Sequence, residues 1–200
     1  MVRPIREATR PLNILEVGPG TGPFTRQILR LMSPEDTFTI CEINPRFLEL
    51  LRRNLEKKPY FQKNKERVRF FQGPVQELPT LGQHQKYDII ISSLPFTNFT
   101  PETVEEILSL FREMTADGGS VNFMEYLGVR RLSTVVCSQR SRERLARVDK
   151  VIQRWYDEVE ECGEVRKKLS LFNLPPAFAI ELAYHRNEQD NAKTVFRSHC

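Results

Sequence analysis

Residues 13–22 combine side chains and spacings that are suited to binding a small charged ligand. They read Asn-Ile-Leu-Glu-Val-Gly-Pro-Gly-Thr-Gly, and Pro23 follows at a position that suits the first turn of a helix. Glycines let the backbone turn sharply and come close to a ligand, and the start of a helix presents free N–H groups. The stretch therefore predicts a strand, a glycine loop and a helix, which is the nucleotide-binding element of doubly wound α/β folds.

The carboxylate of Glu16, two residues before the first glycine, indicates what the loop binds. A dinucleotide fingerprint is Gly-x-Gly-x-x-Gly, whereas the third glycine here comes one residue early. A carboxylate is a poor neighbour for a pyrophosphate and a good one for the ammonium group of an amino acid. Glu-x-Gly-x-Gly-x-Gly resembles the cofactor loop of class I S-adenosylmethionine-dependent methyltransferases, with a dinucleotide site or a ligand-free glycine turn as alternatives. The resemblance implies that the methionine end of S-adenosyl-L-methionine is held by Glu16, Gly18, Pro19, Gly20, Thr21 and Gly22.

Glu42 is a second candidate cofactor ligand. It ends the β-rich run 37–41 and lies 20 residues after Gly22. A carboxylate at the tip of the second parallel strand can accept hydrogen bonds from both ribose hydroxyls. It could also cap the next helix, which Asn44 is suited to begin, and the two roles are compatible. We expect Glu42 to bind the ribose, with Ile43 beside it.

The composition is that of one globular domain. The chain has 200 residues, of which 40% are hydrophobic and 28% charged, and no apolar run approaches the length of a membrane-spanning helix. The four cysteines are scattered and the three histidines lie far apart, so we expect reduced thiols, no metal site and a cytoplasmic protein. The net charge of +4 permits an anionic partner without requiring one. We expect a single domain over residues 1–200, with a basic lead-in over 1–11 and a polar tail over 186–200.

Strands and helices alternate along most of the chain. Apolar runs predict strands near 14–17, 37–42, 68–71, 87–92, 120–127, 165–172 and 178–184. Helical spacing predicts helices near 24–31, 46–56, 103–114 and 140–160. The short connection at 173–176 predicts an antiparallel hairpin. The expected fold is therefore α/β and Rossmann-like, a seven-stranded mostly parallel sheet with helices on both faces and an antiparallel last strand. This is also the class I methyltransferase layout.

The tetrapeptide Ser93-Leu94-Pro95-Phe96 follows the fourth predicted strand, at the sheet edge where ligands bind in such folds. It resembles the Asn/Asp-Pro-Pro-Tyr/Phe motif of methyltransferases that act on amino nitrogens. Methyl transfer to nitrogen is an in-line displacement, so the unprotonated nitrogen must be held by oxygens that accept its N–H bonds. We expect the tetrapeptide to position the amine, with the Phe96 ring stabilising the developing ammonium by a cation–π contact. A strand-ending turn with a packed ring is the alternative.

Four segments together resemble bacterial phospholipid N-methyltransferases, which convert phosphatidylethanolamine toward phosphatidylcholine. They are residues 14–25, 92–96, 122–126 and 173–177, the last reading Asn-Leu-Pro-Pro-Ala. The resemblance implies a phospholipid amine as substrate and a place for Tyr126, at the tip of strand five, in the amine pocket. Arg130 and Arg131 follow that strand and are candidate phosphate ligands.

Two features depart from that family. Its members carry Gly-Asp-Ala after strand three, where the aspartate meets the adenine amino group. Here the sequence is Gln-Gly-Pro-Val-Gln at 72–76, so we expect adenine to rest on Pro74 and Val75, with Gln76 or Glu77 as a substitute hydrogen-bonding group. The family also carries an N-terminal amphipathic helix that docks on anionic lipid, and only about eleven residues precede strand one here.

Several functions therefore stay open at this level. The preferred prediction is an N-methyltransferase of a phospholipid head group, with peripheral contact to an anionic membrane as a further possibility. An RNA or DNA adenine N6-methyltransferase is less favoured, because Ser93 stands where Asn or Asp is usual. A small-molecule amine methyltransferase and a catalytically silent binding module also stay open.

Overall fold

A seven-stranded sheet forms the centre of the molecule. The computed structural model describes residues 1–81, 85–126, 139–170 and 177–184. Within them the strand order is β3-β2-β1-β4-β5-β7-β6. The strands are β1 Asn13–Val17, β2 Thr37–Glu42, β3 Val68–Gln72, β4 Tyr87–Ser92, β5 Thr115–Tyr126, β6 Gly163–Ser170 and β7 Ala177–Tyr184.

The pairing of the strands places the ligand-binding edge. Strands β3, β2, β1, β4 and β5 are parallel, and β7 runs antiparallel to both of its neighbours, β5 and β6. Connections leave β1 toward β2 on one side and reach β4 on the other, so the carboxyl ends of β1 and β4 flank the topological switch point. The predicted fold class is confirmed.

Helices begin where the sequence provides caps and prolines. They are α1 Arg3–Glu7, α2 Pro23–Leu31, α3 Pro45–Glu56, α4 Pro59–Gln62, α5 Pro101–Met114 and α6 Gln139–Cys162. The Asn44 side chain accepts from the amides of Arg46 and Phe47, and Thr100 Oγ1 accepts from the Thr103 amide. Each of these side chains satisfies helix N–H groups that have no partner inside the helix. None of the described helices is long and apolar enough to cross a membrane.

Alternating strand residues divide the core into two layers. Ile14, Phe38 and Ile89 belong to one apolar cluster, together with buried residues of α2 and α3. Leu15 and Ile90, their chain neighbours, belong to the other, together with buried residues of α5 and α6. Successive side chains of a strand point to opposite faces, so a continuous apolar run packs against both helical layers.

The helix α5 ends at Met114, as the helical spacing predicted, and Thr115 Oγ1 donates to the Phe111 carbonyl at 2.6 Å. The basic connection after α3 contains the helix α4, although no helix was predicted there from the sequence. Phe61 is buried there, and the buried Asn64 amide donates to the Leu29 carbonyl at 2.8 Å, so packing orders this connection.

Candidate active site

Two backbone hydrogen bonds join the segments that the sequence singled out. Gly18 donates its amide to the Cys41 carbonyl and Ser93 donates its amide to the Val17 carbonyl, both at 2.9 Å. These bonds continue the parallel register of β1 with β2 and β4 beyond the strand ends. The glycine loop and the segment after β4 are therefore neighbours at the carboxyl edge of the sheet.

The glycine loop has a backbone that favours glycine at each of its three positions. Gly18, Gly20 and Gly22 have φ angles of +68°, +54° and +78°. A Cβ atom on Gly20 would meet no heavy atom within 4 Å, so open space lies in front of this residue. A Cβ on Gly18 would lie 3.0 Å from Leu94 Cδ2, which shows how closely the segment after β4 approaches the loop. The loop thus borders a space that a ligand can enter.

Glu16 lies fully buried beneath this loop. Its Oε2 accepts a hydrogen bond from Thr25 Oγ1 at 2.6 Å, near the start of α2. Its Oε1 has no hydrogen-bond partner among the described residues. Burial raises the pKa of Glu16 to about 7, and the hydrogen bonds from Thr25 oppose that shift. A buried carboxylate oxygen without a partner suits a cationic group of a ligand.

Glu42 holds the other side of the loop. Its Oε2 accepts from the Gly20 amide at 3.3 Å and its Oε1 accepts from the Asn44 amide at 2.9 Å. An ionised carboxylate has about four acceptor positions, so both oxygens retain capacity for hydroxyl donors. Ile43, the next residue, is 65% exposed despite its apolar side chain. Glu42 and Ile43 together present acceptors and an apolar surface, as a ribose with an attached base requires.

The segment after β3 is tied to the same edge. Gly73 donates its amide to the Glu42 carbonyl at 3.1 Å. Pro74 is half-buried, and the buried Val75 opens the 3₁₀ turn Val75–Leu81. From the sequence we expect their apolar side chains to contact the adenine end of S-adenosylmethionine. The roles of Pro74 and Val75 stay predictions.

The segment after β4 combines a buried hydroxyl with a buried ring. Ser93 Oγ is buried and has no hydrogen-bond partner within the described part of the chain. The Leu94 amide contacts Ser92 Oγ at 3.3 Å, and the Leu94 carbonyl accepts from the Phe96 amide at 3.0 Å. The Phe96 ring is only 5% exposed and packs edge-on against Phe123, with 5.6 Å between centroids. The ring therefore serves the core, and its cation–π role stays a prediction.

Arg144 contributes to this site in a way that the sequence did not indicate. From α6 its Nη1 donates to the Thr97 carbonyl at 2.9 Å and to the Phe99 carbonyl at 2.7 Å. This guanidinium therefore holds the turn that begins at Phe96. The contact joins residues more than forty positions apart in the chain, so a local sequence pattern does not reveal it.

The remaining candidates lie at the end of the sheet or beyond the described residues. Tyr126 is the last residue of β5, opposite Ala177 of β7, and its place in an amine pocket stays a prediction. Arg130, Arg131 and the hairpin loop at 173–176 lie outside the described residues. The polar tail at 186–200 does so too.

A family model described as a methyltransferase domain matches residues 14–119, which is more than half of the chain. The chain belongs to the methyltransferase domain family. The match includes the glycine loop, Glu42 and the segment after β4. The resemblance to S-adenosylmethionine-dependent methyltransferases is thereby confirmed, and the enzyme uses S-adenosyl-L-methionine as its cofactor.

Individual relatives of this methyltransferase are distant. An ornithine lipid N-methyltransferase of Singulisphaera acidiphila is 26% identical over 112 residues, which are 54% of this chain and 55% of that protein. The matched region thus spans about half the length of this curated relative.

Solved methyltransferases share the fold. An O-methyltransferase from Bacillus cereus, in complex with SAH, has a TM-score of 0.62 and 16% identity, covering 86% of this chain and 73% of its own. TomG from Streptomyces achromogenes, an O-methyltransferase in complex with SAM, has a TM-score of 0.61 and 14% identity, with the same coverage of 86% and 73%. At these identities the likeness concerns the fold alone.

Proposed function

We propose that this methyltransferase transfers a methyl group to the amine of a membrane-lipid head group, of the phosphatidylethanolamine type. The observation that carries the proposal is Ser93 Oγ, a buried hydroxyl without a partner among the described residues, beside the loop assigned to the cofactor. A buried polar atom costs free energy unless a partner satisfies it. An N–H group of an acceptor amine would be such a partner.

Methyl transfer of this kind depends on the positioning of the acceptor nitrogen and needs no covalent intermediate with the enzyme. When bound, S-adenosylmethionine would supply an electrophilic methyl group on its sulfonium, and an unprotonated acceptor nitrogen would take that methyl group as the S–C bond breaks and would then release a proton to solvent. Ser93 Oγ would accept an N–H bond and direct the lone pair toward the methyl group. Arg144 would keep the turn in place through the carbonyls of Thr97 and Phe99.

The nature of the acceptor is supported by one relative and by the four sequence segments that resemble phospholipid N-methyltransferases. The matched relative is described as an ornithine lipid N-methyltransferase, and an ornithine lipid shares a reactive amine on a lipid with phosphatidylethanolamine. The solved O-methyltransferases do not bear on the acceptor because they share only the fold. An amine at a membrane surface is the chemistry common to the supporting observations.

The test is transfer of labelled methyl groups from S-adenosylmethionine to vesicles. Three vesicle types separate the acceptors: phosphatidylethanolamine in phosphatidylglycerol, an ornithine lipid in phosphatidylglycerol, and phosphatidylglycerol alone. We expect labelled phosphatidylethanolamine. Label only in the ornithine lipid would move the assignment to that lipid, and no labelled lipid from an enzyme that binds cofactor would refute a lipid acceptor.

Two variants test the reaction site and the cofactor site separately. Ser93→Ala should lower kcat/KM by about tenfold, the loss of one buried hydrogen bond, with unchanged cofactor affinity. Glu42→Gln should weaken cofactor binding by about tenfold or more, because a neutral amide accepts fewer hydroxyl bonds than a carboxylate. Calorimetric titration measures the affinities. If Ser93→Ala weakened cofactor binding instead, Ser93 would belong to the cofactor site.

A further inference from the structure

Two large apolar side chains of α3 are exposed close together. Phe47 and Leu50 are 45% and 49% exposed and lie in the first half of α3, whose buried side carries Leu48, Leu51 and Leu55. Ile43, two residues before the helix, is 65% exposed and belongs to the candidate cofactor site. Single exposed apolar side chains are common on protein surfaces, whereas adjacent ones often mark a surface that binds a partner.

Cations line one side of this apolar group. At about 100° per residue, Arg46, Arg53 and Lys57 fall within roughly 60° of Leu50 on one side of the helix axis. Phe47 falls on the other side by the same calculation. We call this surface, comprising Arg46, Phe47, Leu50, Arg53 and Lys57, the α3 face.

A groove adjoins the α3 face and adds further positive charge. Its volume is about 660 Å³, and its lining includes Leu50, Arg26, Arg53, Lys57 and Lys58. The acidic neighbours are Glu56, also in the lining, and Glu49, which pairs with Arg53. Cations outnumber carboxylates on this surface, so it complements a negatively charged partner.

We propose that the α3 face docks on the surface of an anionic lipid bilayer. Aliphatic and aromatic side chains beside lysine and arginine are the composition of interfacial helices, which bury apolar groups between head groups and place cations near phosphates. Of the exposed apolar side chains of the face, Phe47 alone has a ring, whereas single-stranded nucleic acids are bound by several aromatic rings on which successive bases stack, so a nucleic-acid partner is disfavoured. The bilayer therefore matches both the apolar and the cationic parts of the surface.

Docking there would bring the reaction site to its substrate. Ile43 follows Glu42 at the carboxyl edge of the sheet, and Leu51 of α3 packs on the loop, with its Cδ1 2.4 Å from where a Cβ on Gly22 would lie. The helix that carries the α3 face therefore contacts the cofactor loop. This inference deepens the proposed function and rests on it for the choice of a lipid partner.

The experiment measures binding to vesicles without methyl transfer. The vesicles contain phosphatidylglycerol and phosphatidylcholine, with phosphatidylcholine alone as the uncharged comparison. The variant is Phe47→Glu with Leu50→Glu, and the matched control is Leu169→Glu, an apolar residue of β6 that is 46% exposed. Lys57→Glu tests whether the cations of the α3 face contribute to vesicle binding, and Lys168→Glu on β6 is its matched control. Ile43 is left unchanged because it adjoins the cofactor site.

We expect the double variant to lose about tenfold or more in affinity for anionic vesicles and Lys57→Glu to lose severalfold. Both β6 controls should bind as the unsubstituted chain does, and a cofactor-induced rise in Tm should persist in every variant. Equal losses in the control variants, or unchanged binding by the double variant, would overturn the proposal. So would binding of RNA by this face in place of vesicles.

The two proposals can fail separately. Vesicle binding that depends on the α3 face, with no labelled lipid in the transfer assay, would refute the lipid acceptor and retain the docking surface. Labelled lipid from the Phe47→Glu, Leu50→Glu variant at the unsubstituted rate would retain the acceptor and refute the docking surface.

Discussion

A single buried carboxylate links the stability of this enzyme to its ligand. Glu16 is completely enclosed, and one of its oxygens has no partner in the described part of the chain. Charging it in the ligand-free protein is unfavourable because the interior replaces water with a less polarisable surrounding. A ligand ammonium beside Oε1 would remove that penalty, so we interpret Glu16 as a residue kept for binding at a cost in stability.

The cost predicts a dependence of stability on pH. Burial raises the pKa of Glu16 from 4.5 to about 7, so between these values the folded chain holds a proton that the unfolded chain has released. Protonated Glu16 therefore contributes fully to the stability of the folded chain below about pH 4.5, and this contribution is lost as the pH rises through about 7. Glu16→Gln lacks this titration. The free energy of unfolding of the unsubstituted chain, relative to Glu16→Gln, should fall by up to roughly 3 kcal/mol from about pH 4 to pH 8.

Denaturant titrations of both proteins without cofactor at several pH values would measure this difference. Thr25→Val is a useful comparison, since it removes the hydroxyl that bonds Glu16 Oε2 and should raise the pKa further. A difference between unsubstituted chain and Glu16→Gln that does not change with pH would show that Glu16 keeps an ordinary pKa.

At the scale of elements, the junction of loop and helix depends on two glycines with different surroundings. Gly20 and Gly22 share a left-handed backbone, with φ of +54° and +78°. Space is open around a Cβ on Gly20, whereas a Cβ on Gly22 would meet Leu51 Cδ1 at 2.4 Å. The first position thus faces open space, and at the second position the start of α2 packs against α3.

Alanine substitutions at Gly20 and Gly22 should distinguish the stability cost of backbone strain from the cost of a packing clash. Gly20→Ala should cost about 1–2 kcal/mol of stability, the strain of a left-handed alanine. Gly22→Ala should cost at least about 1 kcal/mol more, because Leu51 must move. Gly20→Ala should also weaken cofactor binding, since its methyl group enters the open space. Thermal unfolding and calorimetric titration check both points. Equal stability losses would contradict the packing difference.

At the scale of the whole molecule, a charged cluster ties the first helix to the last strand. Arg3 of α1 donates both bonds from Nη2 to Glu181 of β7, at 3.0 and 2.9 Å. Arg166 of β6 donates to the same carboxylate at 3.1 Å. The Glu181 side chain is only 14% exposed, so solvent screens these pairs less than it screens surface pairs. The cluster connects residues that are 178 positions apart in the chain.

This cluster should contribute measurably to stability. We expect Arg3→Ala to lower the free energy of unfolding by about 1 kcal/mol, and most of that loss to vanish when Glu181 is already replaced by Gln. The comparison is Arg53→Ala, which removes an exposed pair with Glu49 and should cost less than about 0.5 kcal/mol. A double-mutant cycle by urea unfolding gives the coupling. Zero coupling would mean that α1 is held by apolar contacts such as those of Ile5.

Local signals in the sequence were sufficient for most of the fold. The glycine spacing, the prolines at helix starts and the apolar run at Ile89, Ile90 and Ile91 each act within a few residues. They express steric limits and backbone hydrogen bonding that any chain obeys locally. The same signals indicated Glu16, Glu42 and the segment after β4 as candidate site residues, because ligands in such folds meet the ends of parallel strands.

Other features depend on contacts between distant parts of the chain. The ordered connection after α3 follows from the burial of Phe61 and Asn64, and the role of Arg144 from its bonds to carbonyls on another element. The exposure of Ile43, Phe47 and Leu50 could not be read from an apolar pattern, since such a pattern normally predicts a buried stripe. Which apolar side chains a helix buries, and which it leaves for a partner, is determined by what the rest of the chain packs against it.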